Sequence, residues 1–153
     1  MTARKTIEDF LGSRRLAVVG VSRNPRDFTR TLFRELQKRG YELIPVHPQA
    51  AEIEAVPTVA HIQDVSPPVE AALLLTTPSV TPEVIRECQQ AGVHRVWIYR
   101  AGTAAAASST TEFCAEHGMD VVSGECPFMF LPDTGFPHNF HGFCRKLVGR
   151  YPQ

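Results

Sequence analysis

The chain has 153 residues, 43% of them hydrophobic and 21% charged, the length and make-up of a protein that folds around one buried core. Its 16 Lys and Arg balance its 16 Asp and Glu, so the net charge is zero, which argues against a general nucleic-acid or membrane-surface partner. The longest apolar run, 71–75, is too short to span a membrane, the N-terminal segment lacks a signal-peptide core, and Cys88, Cys114, Cys126 and Cys144 form no C-x-x-C pair, so a cytoplasmic protein with reduced thiols is expected.

Thr6 followed by Asp9, with Ile7, Phe10 and Leu11 on one side, predicts a short amphipathic helix ahead of the first strand. Residues 16–19 read as a buried strand that stops at Gly20. A tight loop follows, and then a helix to about Arg39, with Phe28, Leu32, Phe33 and Leu36 inward. Arg26, Arg30, Arg34 and Lys38 recur on its outer side, and Gly40 ends it. A second strand, 41–46, closes at His47-Pro48. Between 49 and 68 three prolines break the chain, with room for a short strand near Val56.

The all-apolar run from 71 that ends in Thr76-Thr77-Pro78 predicts a strand buried on both faces. Thr81-Pro82-Glu83 is expected to cap a helix that stops at Gly92. A strand over 96–99 leads into a small-residue loop, 100–108. A capping box, Ser109 to Glu112, then opens a helix ending at Gly118. Val121-Val122 marks a fifth strand. A last helix from about Pro137 sets Phe140, Phe143, Cys144, Leu147 and Val148 along one stripe.

Strands alternating with helices predict an α/β, doubly wound Rossmann-like fold, a mainly parallel sheet of about five strands with helices on both faces, in a single domain over 1–153. Ligands of such sheets bind beyond the carboxyl ends of the strands. Those ends here carry Gly20-Val21-Ser22, His47-Pro48, Thr76-Thr77-Pro78 and Arg100-Ala101-Gly102.

The first of these has the chemistry of an anion seat, because a glycine turn and a helix start converge backbone N–H groups on one point. Gly20 permits the turn, Ser22 offers a hydroxyl, and Arg23 and Arg26 add charge-assisted hydrogen bonds. Residues 14–39 hold eight of the sixteen basic residues against only Asp27 and Glu35, a local patch suited to a small polyanion. Arg30 stands at the margin of reach. Arg34 and Lys38, further along at about 1.5 Å per residue, read as a solvated face. The loop is not the G-x-G-x-x-G dinucleotide fingerprint, since Ser22 and Pro25 stand where glycines are required. The second strand ends without the acid that grips an NAD ribose, and without the Arg that serves NADP.

The run 19–25 (Val-Gly-Val-Ser-Arg-Asn-Pro), Gly40-Tyr41, and the run 44–48 (Ile-Pro-Val-His-Pro) resemble the stand-alone CoA-binding-domain proteins, relatives of the N-terminal domain of the succinyl-CoA synthetase alpha subunit. The likeness continues through Thr77-Pro78, Gly92-Val93, Val96-Trp97-Ile98 and Cys126-Pro127, covering about residues 5–130. It implies a domain that binds coenzyme A or a short acyl-CoA, with Gly20, Val21, Ser22, Arg23 and Asn24 at the phosphates. The end of the second strand and Thr76 to Pro78 would then surround the nucleotide. The family commonly has Asn where this chain has His47, and often a glutamine-bearing turn where this chain has Arg100. Arg100 is left with a phosphate, an acyl carboxylate or solvent as its partner.

The histidine domain that performs the ligase chemistry has no counterpart here, so binding without catalysis is expected, either alone, as a homo-oligomer or beside an acyltransferase or ligase. A nicotinamide-dependent oxidoreductase or redox sensor is the first alternative. A metal site on the last helix, from His138 and His141 with Cys126 and Cys144, is the second. Cys126 is also placed to form a mixed disulfide with a thiol ligand, or to serve as a small buried side chain.

Overall fold

A computed structural model describes residues 4–131. The predicted last helix, with His138, His141 and Cys144, lies outside the described residues. The core is a five-stranded parallel sheet in the order β2-β1-β5-β6-β7, built from β1 (Arg15–Val19), β2 (Glu42–Val46), β5 (Ala71–Leu74), β6 (Arg95–Ile98) and β7 (Asp120–Ser123). A two-stranded hairpin, β3 (Glu52–Ile53) and β4 (Val56–Pro57), stands beside it. It accounts for the short strand expected near Val56.

Alternation along each strand divides the core in two. Leu16, Val18, Leu73, Trp97 and Val122 face one side, where α1 (Arg4–Gly12) supplies Ile7 and Phe10 and α2 (Phe28–Lys38) supplies Leu32, Phe33 and Leu36. Ala17, Val19, Ala72, Leu74, Val96 and Ile98 face the other, meeting α3 (Thr81–Gln90) through Val84, Ile85 and Cys88 and α4 (Ala104–Glu116) through Cys114. Apolar residues on both faces are what a central parallel strand needs, because helices cover it from both sides. Proline in β2, at Pro45, is tolerated because that strand is an edge.

The three crossover helices stop in the same way. Tyr41 N–H returns to Leu36 O at 3.1 Å, Val93 N–H to Cys88 O at 3.0 Å and Met119 N–H to Cys114 O at 2.8 Å, each just after a glycine. Each residue after the glycine is buried, so the stop and the docking of the next strand are one event.

Two helix starts differ from expectation. α4 begins at Ala104, capped by Thr103, whose side chain accepts from Ala106 N–H at 3.2 Å; Ser109 therefore lies inside the helix. Four consecutive alanines are strong helix formers, so the earlier cap wins. α3 begins one residue earlier than the capping reading implied. Thr81 is its first helical residue, with its hydroxyl turned inward to Thr76 Oγ1 at 2.7 Å and donating to Thr77 O at 3.1 Å. No helix of the described residues is long and apolar enough to cross a membrane.

Candidate functional site

The strand order reverses between β1 and β5, and a crevice opens at the carboxyl ends where the following loops diverge. Gly20 stands at its head with φ +92°. A Cβ there would lie 2.8 Å from Thr76 N and 2.9 Å from Leu75 C, so β1 and β5 approach closely only because the side chain is missing. Leu75 N–H to Val19 O at 2.8 Å extends the pairing to this point.

On the β2 side the crevice widens to a cleft of about 420 Å³ lined by Gly20, His47, Pro48 and Thr76, with His61, Glu83 and Glu87 completing its polar wall. A smaller space of about 140 Å³ lies between α3 and α4, lined by residues such as Ile85 and Phe113 and none from the strand ends.

Side-chain hydrogen bonds shape the 20–26 loop, two from within it and one from Thr29 of α2. Ser22 N–H donates to Thr29 Oγ1 at 2.9 Å, Asn24 N–H to Ser22 Oγ at 3.1 Å and Arg26 N–H to Asn24 Oδ1 at 3.0 Å. Ser22 accepts in this arrangement, which leaves its O–H proton available to donate. The amides of Val21 and Arg23 meet no acceptor among the described residues. Val21 offers only backbone, because its side chain is buried in the core. Arg23, Asn24 and Arg26 are exposed.

The positive end of α2 is not vacant, since Asp27 caps it, accepting from Thr29 N–H at 2.8 Å and Thr29 Oγ1–H at 2.6 Å. Those hydrogen bonds, with the Arg100 charge as a lesser contribution, outweigh burial and hold the Asp27 carboxyl below its usual range. An external anion is left with the loop amides ahead of the helix.

Arg34 also departs from the solvated face. It is only half-exposed, donates to Pro25 O at 3.3 Å and shares the Glu54 carboxylate with Arg30. Its length lets it reach back past a full turn. Lys38 is exposed as expected.

His47 has a definite place. Its Nδ1 accepts from Gln49 N–H and Ala50 N–H, both at 3.0 Å, the bond an Asn side chain makes in an Asx-turn. Burial, aided by the Arg23 charge, lowers its pKa from the ordinary histidine value. The neutral ring therefore accepts at Nδ1 and carries its proton on Nε2. Below pH of about 6.5 the unfolded chain binds more protons than the folded one, so this stability is full above that pH and is lost as pH falls through the depressed folded value. His47→Asn keeps the turn without the titration. The variant is expected to lose less melting temperature than the wild type between pH 7.5 and 5.5; parallel losses would show that His47 is not the group responsible.

The remaining residues gather on the far side of the crevice. Thr77 and Pro78 are exposed, and a Cβ on Gly102 would lie 2.8 Å from Pro78 Cβ, so the loops after β5 and β6 touch. Arg100 is exposed, on the side of Asp27. Tyr99 stacks on Phe28 with ring centres 5.5 Å apart.

Sequence reasoning passed over Glu54, His61, Glu83 and Glu87; the last two are spaced four apart on α3, a signal that they share a face. It also passed over Glu125, which is buried, has its pKa raised by that burial and leaves Oε2 without a hydrogen bond among the described residues. Burial pushes the thiol of Cys88 up to about 12 and that of Cys114 up to about 11, so both stay protonated at neutral pH. Cys126 is fully buried in the α1–α2 side of the core. No group of three metal-ligating side chains forms among the described residues.

Strand order, the close approach at Gly20 and the basic loop beside it define a doubly wound α/β protein with a crevice at its switch point. Residues 14–132 match the family model described as the CoA binding domain, and the chain belongs to that family. It is 22% identical over 128 residues to the alpha subunit of acetate–CoA ligase [ADP-forming] II of Pyrococcus furiosus, covering 78% of this chain and 28% of that subunit. It is 28% identical over 85 residues to the uncharacterized protein YneT of Bacillus subtilis, covering 56% of this chain and 63% of YneT. In fold it is similar to a hypothetical protein from Pyrococcus horikoshii, with TM-score 0.73 and 22% identity over 83% of this chain and 87% of that one.

Proposed function

We propose that this chain binds coenzyme A or a short acyl-CoA in the crevice at the ends of β1, β2 and β5, without chemistry of its own. The observation that carries the reading is that the CoA binding domain match, 14–132, spans every strand that meets at this crevice. In this reading the diphosphate sits against the unpaired amides of Val21 and Arg23, with Ser22, Asn24, Arg23 and Arg26 around it. The nucleoside enters the cleft beside His47, Pro48 and Thr76. Glu83 and Glu87 in its wall can accept hydrogen bonds from the adenine amino group and a ribose hydroxyl. Thr77, Pro78, Arg100 and Gly102 border the exit toward the acyl end.

A related domain forms part of a ligase alpha subunit, which supports a ligase or acyltransferase as partner. A ligand that binds only the folded state stabilises it by about 2.7 kcal/mol at a hundred times its Kd. Millimolar CoA is thus expected to raise the melting temperature by roughly 5–10 °C if Kd is near 10 μM. Dephospho-CoA, acetyl-CoA and NADPH are run in parallel. A larger shift with NADPH would move the reading to a nicotinamide-dependent protein, and no shift with any CoA species would end it.

A further inference from the structure

We infer that Arg30 and Glu54 form a clasp that positions the Ser22–Arg23 backbone for the ligand, Arg30 acting through the Arg23 amide and not through its own charge. The inference rests on the functional reading above.

The loop does not hold this shape unaided. Arg30 Nη1 donates to Arg23 O at 3.1 Å and to Ser22 O at 3.4 Å. A trans peptide sets its C=O and N–H on opposite sides. Drawing the Ser22 carbonyl toward Arg30 therefore turns the Arg23 N–H away, toward the open side of the loop. That amide is one of the two left unpaired, whereas the amides of Ser22, Asn24 and Arg26 are spent within the loop and α2. Arg30 thus aims the donor that an anion would use.

The guanidinium itself is already engaged. Its Nε donates to Glu54 Oε2 at 2.8 Å, its Nη2 meets the same oxygen, and Arg34 Nη1 approaches that oxygen at 3.3 Å. Both partners are largely buried, with side chains 12% and 18% exposed. A phosphate reaching Arg30 would have to displace a largely buried carboxylate and leave it only the longer contact with Arg34, which is costly. Burial by itself would raise the Glu54 carboxyl; hydrogen bonding and charge from Arg30, then from Arg34, reverse this and hold it below its ordinary value.

The hairpin that presents Glu54 is built against local preference. Glu54 and Ala55, the two residues between β3 and β4, have φ of 48° and 64°. Two-residue hairpin turns with positive φ at both positions favour Asn-Gly. Glycine would relieve the strain at position 54 and would remove the carboxylate that fixes Arg30. Strain kept at a residue whose side chain reaches across to the loop is what a positioning role demands.

The test uses the full chain with Glu54→Gln, Arg30→Lys and the double variant Arg30→Met/Glu54→Gln, which leaves the net charge unaltered. In ligand-free protein, the amide NMR signals of residues 22–24 are expected to move in all three, while those of Gln49 and Ala50 hold still. Calorimetric titration with CoA at two salt concentrations is expected to show roughly tenfold weaker binding in each variant. The salt dependence of the double variant should match the wild type, because no charge facing the ligand has been removed. Tighter binding by Glu54→Gln would make Glu54 a competitor of the ligand and overturn the inference. So would a double variant that binds like the wild type, or one whose binding loses salt dependence. Absence of CoA binding in the wild type itself would sink the functional reading; the clasp would then be judged on the ligand-free spectra, where unmoved 22–24 signals overturn it.

Discussion

Gly20→Ala is expected to destabilise the protein by about 3 kcal/mol or more, lowering the melting temperature by roughly 10 °C, and to abolish any CoA-induced shift. Two costs add. An L-residue at φ +92° pays about 1–2 kcal/mol of backbone strain. The new Cβ also falls 2.8 Å from Thr76 N and 2.9 Å from Leu75 C, which are backbone atoms at the end of a central strand. They cannot rotate aside, so β1 and β5 must separate where the crevice begins. Gly118→Ala separates the two costs. Gly118 has φ +66° with nothing within 4 Å of the added Cβ, and should lose only about 1 kcal/mol with the ligand shift intact. Urea titration of both variants decides the matter. Equal losses would mean that strain alone governs Gly20, and that the close approach of the strands is soft.

The fold was legible because both of its periodicities are strong. The run from Ala71 is apolar at every position, and a strand with helices on both faces is the arrangement that uses such a run fully. Glycine followed by a buried apolar residue marked all three crossover helix stops, since the αL stop and the docking of the next residue are local. Helix starts were harder. At Ser109 the capping pattern was present, but four alanines upstream and Thr103 before them offered a cheaper start.

The site was legible as a set of strand ends and opaque as a set of contacts. Gly20, His47 and Thr76 line one cleft because topology alone brings carboxyl ends together. The pairings of Asp27 and Glu54 were missed for a common reason. Each engages α2, one by filling the helix end and the other by pairing Arg30 and Arg34. Counting arginines over 14–39 registers the charge and not its neutralisation. For Glu54, at the turn of the hairpin, the partner lies 24 residues away, beyond the reach of helical spacing. His47 could have been read from chemistry, because an imidazole nitrogen can accept the backbone amides that an Asn oxygen would.

Trp97→Ala is expected to cost about 4 kcal/mol, a large share of the stability of a protein this size, while leaving CoA affinity within twofold at temperatures where it stays folded. Trp97 is fully buried on the α1–α2 face of the sheet, edge-on to Phe10 with ring centres 5.3 Å apart. Its Nε1–H donates to Glu125 O at 2.8 Å, tying the segment after β7 to the sheet. Removing the indole opens a cavity and strands that carbonyl without its donor, so transfer, cavity and hydrogen-bond costs combine. Trp97→Phe retains most of the ring contact and loses the hydrogen bond, so it should cost about 2 kcal/mol. The neighbouring Ile98 points to the opposite face, toward α3 and α4. Ile98→Val should lose about 1 kcal/mol. Urea denaturation with unchanged m values checks the energies, and calorimetry at low temperature checks the binding. A tenfold loss of CoA affinity in folded Trp97→Ala would place the region around Glu125 and Cys126 within the binding site and not merely beneath it.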